Sequence, residues 1–88
     1  MDIERLTLEI ECTFRDYPIE QIPARIEWLE QYTAGLAKHL NDYIARQAAG
    51  KKMQRHQMVG IRQYPARIKE ERLFIRALKE AYAYRVDA

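Results

Sequence analysis

The chain has 88 residues, 48% of them apolar and 32% charged, with three Gly, three Pro and a net charge of +2. That length holds one domain at most, able to bury only about 60 to 65% of its unfolded surface, and the composition is that of a folded helical protein and excludes a disordered one. No apolar run approaches the roughly 18 residues of a membrane span, the N-terminus has no signal-peptide pattern, and one Cys with two His offers neither an internal disulfide nor a metal cluster, so a cytoplasmic protein without redox or zinc chemistry is expected.

In chain order, Ile3, Leu6, Ile10 and Phe14 recur at three- and four-residue intervals and predict a short helix over about 3–15. Pro18 ends it, because the residue before a proline is pushed out of the α region. Pro23 suits the first turn of a second helix, where its missing N–H costs nothing. Over about 23–48, Ile26, Leu29, Thr33, Leu36, Leu40 and Tyr43 step by three and four along one seam. Gly50 is a natural stop, and Gly60 and Pro65 punctuate the basic stretch after it, so residues 49–64 read as a basic connector with one or two helical turns. A last helix over about 66–86 carries Ile68, Ile75, Leu78 and Tyr82 on one face, Leu73, Ala77, Ala81 and Tyr84 beside it, and Phe74 between. The expected fold is all-α, a single domain in which the short N-terminal helix packs on an antiparallel two-helix hairpin. Apolar coverage on the last helix exceeds what one hairpin partner buries, which points to a homo-oligomer or to burial against the first helix.

The small net charge hides an asymmetry. Residues 1–42 hold nine acids and four bases, whereas residues 43–69 hold seven bases (Arg46, Lys51, Lys52, Arg55, Arg62, Arg67 and Lys69) and no acid. Such a block is a solvated surface or a site for phosphate or an acidic partner. Six tyrosines and Trp28 add the means of stacking on bases beside Lys or Arg, and Tyr17, Tyr64, Arg62, Arg67 and Lys69 form one such set. Tyr82 and Tyr84 are expected to pack. For catalysis the chain offers little: no motif surrounds Cys12, His39 or His56, and Gly35, Gly50 and Gly60 fit no phosphate-binding loop, so no enzymatic activity is expected.

Three segments resemble one known family. Glu9-Ile10-Glu11-Cys12-Thr13-Phe14 followed by Tyr17-Pro18, then Pro23-Ala24-Arg25-Ile26-Glu27 with Leu36-Ala37 and Asn41, then Glu70-Glu71-Arg72-Leu73-Phe74-Ile75-Arg76-Ala77-Leu78-Lys79-Glu80-Ala81 run in the order of the phage anti-CBASS cyclic-nucleotide sponge family. The chain is similar to that family over about two thirds of its length. It departs from the pattern at Asp16, where the family tends to an aromatic, and at Glu30, where it tends to a base.

The resemblance implies an oligomer of helical hairpins that captures a cyclic oligonucleotide or related phosphorylated nucleotide signal in the cytoplasm of an infected host cell, without cleaving it. It implies Arg67 and Lys69 as phosphate ligands, Phe14 and Tyr17 as a base-binding wall, and Pro18 and Arg25 nearby. The other reading of the residues is a small helical phage protein that docks on nucleic acid or on a host protein complex through its basic 46–69 segment, with no membrane partner.

Overall fold

The computed structural model describes residues 2–87. They form three α-helices, α1 (Ile3–Asp16), α2 (Ile22–Ala48) and α3 (Arg55–Asp87), with a single 3-10 turn, Ile19–Gln21, leading into α2. No strand occurs among the described residues.

Each helix end has a local cause. The Asp2 side chain accepts the Arg5 backbone N–H at 2.7 Å and so caps α1, satisfying one of the four donors that open any helix. Tyr17, forced extended by Pro18, closes it. Pro23 occupies the first turn of α2. At the far end, Gly50 takes φ +72° while its N–H reaches the Gln47 carbonyl and the Lys51 N–H reaches the Arg46 carbonyl, the paired bonds of a Schellman turn.

The connector is much shorter than residues 49–64. α3 begins at Arg55, because the Gln57 side chain accepts the Gln54 backbone N–H at 2.9 Å, the returning half of a capping box. The helix then continues through Gly60 and Pro65, the two residues expected to interrupt it. Pro65 lacks the N–H that would bond the Ile61 carbonyl, a local loss that the packed face of α3 outweighs. Gly60 is buried and faces α2, where Tyr43 occupies the space that a side chain would fill.

α2 and α3 pack as an antiparallel hairpin. Glu30 meets Lys79 near one end, and Tyr43 meets His56 and Tyr64 near the other. The core lies at the end where α1 joins: Ile22, Ile26, Leu29, Ile75 and Leu78 are buried together, with Phe14, Tyr17, Phe74 and Tyr82 packed against them. Ile22 and Leu78 are fully covered, and burial of such a side chain stabilises by about 1.5–3 kcal/mol. Buried Thr33 satisfies its hydroxyl by donating to the Leu29 carbonyl at 2.8 Å. α1 contributes no buried residue. The expected last-helix face holds for Ile68, Ile75, Leu78 and Tyr82, but Tyr84, expected to pack, is 78% exposed, since it projects on the side of α3 turned away from the hairpin. Among the described residues no helix is long and apolar enough to cross a membrane.

Candidate nucleotide-binding face

Along one flank of the hairpin, cationic and aromatic side chains form a single ladder. The Arg25 guanidinium lies over both the Tyr17 ring, 5.3 Å from its centroid, and the Trp28 ring, at 4.5 Å. Trp28 in turn stacks on Tyr32, with centroids 5.5 Å apart and planes 3° from parallel. Arg67 reaches across from α3 to within 5.9 Å of the Tyr32 ring. The spacing produces this: Arg25, Trp28 and Tyr32 are three and four residues apart and so rise on one side of α2. The proline-enforced turn brings Tyr17 back beside them.

Trp28 remains 51% exposed despite its two neighbours. Below Tyr32 the ladder opens into a groove of about 270 Å³ lined by Leu36, Gln63, Tyr64, Arg67 and Glu70. Beside Arg25 a second groove, about 350 Å³, runs between the three helices past Cys12, Thr13, Glu71 and Phe74. Glu71 also pairs with Arg67 at 3.6 Å, so one carboxylate steadies the cation at the end of the ladder. Chemically, the ring faces suit planar bases and the two guanidiniums suit phosphate oxygens.

The fold treats the expected site residues unequally. Tyr17 and Arg25 meet in the ladder, and Tyr64 and Arg67 share the groove at its end. Phe14 is half-buried against the core with Arg85 over its ring at 3.9 Å, so that face is already occupied within the chain. Pro18 is exposed and shapes only the turn. Arg62 and Lys69 lie exposed on the outer side of α3 and join neither the ladder nor its grooves.

Trp28 and Tyr32 do not belong to the sequence-derived set; their i, i+4 spacing with an arginine one turn earlier is the signal that would have found them. The carboxylates Glu30 and Asp16 are both paired: Glu30 bonds Lys79 at 2.8 Å, and Asp16 accepts from Arg15 at 3.2 Å. That hydrogen bond, with the charge behind it, raises the Arg15 pKa above its ordinary value.

A groove of about 600 Å³ opens on the other flank, where Glu30, Arg72, Arg76, Lys79 and Glu80 line it together with Thr33 and Ile75. Four of its five charges are paired with one another, Arg76 with Glu80 and Lys79 with Glu30, which suits it poorly to an anionic ligand. Among the described residues no group of His, Cys, Asp and Glu has the arrangement of a metal site. The chain matches no family model, no curated protein and no solved structure.

Proposed function

We propose that the protein binds a cyclic oligonucleotide or related phosphorylated nucleotide signal and sequesters it without cleaving it, acting as a phage-encoded inhibitor of bacterial antiviral immunity. The observation that carries this reading is the Tyr17, Arg25, Trp28, Tyr32 and Arg67 ladder, in which aromatic rings that could stack on bases lie against guanidinium groups that could meet phosphate. The resemblance to the anti-CBASS sponges adds the ligand class and the setting, an infected host cytoplasm.

Magnitudes decide how a base enters. Both neighbours of Trp28 are provided by the chain itself, so a base must displace one. An exposed guanidinium over a ring contributes about 0.5–1 kcal/mol. A base stacked on an aromatic contributes about 1–3 kcal/mol, so a base displaces the Arg25 head with a net gain. The freed guanidinium then turns to the phosphate, where a charge-assisted hydrogen bond replaces the contact it lost. Ground-state binding of this kind gives no acceleration of bond cleavage, since it favours reactant and transition state alike.

Self-association belongs to the same reading. The chain exposes 6677 Å², whereas a compact monomer of 10.5 kDa is expected to expose about 5,400 Å². Its radius of gyration is 16.1 Å, against about 12 Å for a compact domain of this length. A second protomer beside the hairpin would cover this excess and wall the shallow grooves into pockets.

Trp28 is the single tryptophan, so its fluorescence reports on the ladder alone. Titration with cyclic di- and trinucleotides is expected to quench it saturably, and the nucleotide released on denaturing the protein should be intact. An unchanged emission across the series removes the reading, and linear product formed over many turnovers replaces sequestration with catalysis.

A further inference from the structure

We propose that the outward face of α3 is a second, separate anion-binding surface that takes the phosphodiester backbone of duplex nucleic acid without reading its sequence. Arg55, Arg62 and Lys69 follow one another at seven-residue intervals. Seven residues fall about 20° short of two helical turns, so the three cations occupy about 40° of arc and stand about 10.5 Å apart along the axis. All three are exposed, while Gly60, Ile68, Ile75 and Leu78 turn the opposite side of α3 to the hairpin.

Their charges are uncommitted. Arg46 donates to the Lys52 carbonyl at 3.1 Å, and Arg67 is held by Glu71 and Tyr32. By contrast, no carboxylate among the described residues pairs with Arg55, Arg62 or Lys69. The acid-free run over residues 43–69 leaves Arg55 and Arg62 with no acid in their own stretch of helix, and Glu70 is the first carboxylate, next to Lys69.

The regular spacing favours a duplex over an acidic protein. A duplex carries one charge per about 1.7 Å of axis, so cations about 10.5 Å apart find phosphates in any register. A protein partner would need carboxylates matched to that spacing and a central apolar anchor. The exposed large apolar residues on this side, Met58, Leu73 and Tyr84, are spread over about 39 Å of axis and form no common patch. Cations this far apart also cannot address neighbouring base pairs, which rise by about 3.4 Å, so binding is indifferent to sequence.

The test is fluorescence anisotropy of an end-labelled DNA duplex with the full chain over a salt series. Binding at low salt with a log–log slope of about −2.7 is expected, for three phosphates neutralised. Arg55→Gln/Arg62→Gln/Lys69→Gln should lower affinity at least tenfold and flatten the slope, and Lys69→Gln alone, the milder change should the triple variant lose helicity, should reduce the slope by about 0.9. No binding at low salt, full binding by the triple variant, or tighter binding to poly-glutamate than to the duplex each overturns the proposal. So does an equal loss of duplex binding in Trp28→Ala, which would transfer the activity to the ladder. Duplex binding without nucleotide quenching of Trp28 would leave this surface standing and remove the nucleotide reading; the reverse result removes this one.

Discussion

A Cβ placed on Gly60 would lie 3.0 Å from Cε2 and 3.1 Å from Cδ2 of Tyr43 on the opposing helix, and 3.1 Å from Cε2 of Tyr64. Two rings therefore close on one backbone position, and His39 and His56 pack against Tyr43 in turn. Helix propensity favours Ala over Gly by about 1 kcal/mol, but overpacking of this kind costs about 1–3 kcal/mol. Gly60→Ala is expected to lower stability by about 1 kcal/mol in urea unfolding. In a Tyr43→Leu background, where only the Tyr64 contact remains, the same substitution should cost clearly less; destabilisation of equal size in both backgrounds would show that Tyr43 is not the cause.

Removing Trp28 should separate binding from folding. The ring is half exposed and outside the buried core, so Trp28→Ala should cost less than about 1.5 kcal/mol of stability, the range of one aromatic pair. Nucleotide affinity should fall about fivefold to 150-fold, the equivalent of one lost base stack of about 1–3 kcal/mol. Trp28→Phe should recover part of it. Calorimetric titration of the two variants checks both numbers, and equal affinity in Trp28→Ala and the parent chain would argue that no base stacks there.

Leu78 is fully covered at the centre of the core, opposite the equally covered Ile22. Leu78→Ala is expected to cost about 2–5 kcal/mol. For a chain of this length total stability is about 4–13 kcal/mol, so the variant should lose a large share of it and melt at a clearly lower temperature by circular dichroism. Leu73→Ala, on the exposed side of the same helix, should change stability by less than about 0.5 kcal/mol in the monomer.

Sedimentation equilibrium of the purified chain at micromolar concentration should return a multiple of 10.5 kDa. The surface left open by the hairpin is the reason to expect it, and a single species at the monomer mass would remove self-association from the account. Should Leu73→Ala shift the assembly toward monomer while leaving helicity intact, the outer side of α3 contributes to the contact.

α1, α2 and the inner face of α3 are legible in the apolar spacing, because a seam at Ile26, Leu29 and Thr33 or at Ile68, Ile75 and Leu78 needs only the helical period to be seen. The start of α3 is not. Gly60 and Pro65 have the chemistry of helix breakers, and what outweighs them is non-local: the face of α3 packed on α2, where Tyr43, seventeen residues before Gly60, takes the space a side chain would fill. The aromatic and cationic members of the ladder are individually visible in the sequence. Their joining is not, since Tyr17 reaches Arg25 only through the turn at Pro18, and Arg67 reaches Tyr32 only once the hairpin has closed.

α1 has an amphipathic face and a capped N-terminus, yet it buries no residue and rests on the hairpin through half-covered side chains such as Phe14 under Arg85. Its detachment would strip Phe14 from the core it partly covers, yet it breaks no contact between α2 and α3, the larger of the two interfaces. α1 is therefore expected to open and reclose more often than the hairpin unfolds, with the central amides of the hairpin released only with the whole. Amide hydrogen exchange would register the α1 event as a fast, sub-global opening of residues 3–16. The groove beside Arg25 takes one wall from α1, through Cys12 and Thr13, so each such opening dismantles that groove, while the stacked pair Trp28 and Tyr32 lies wholly on α2 and keeps its geometry.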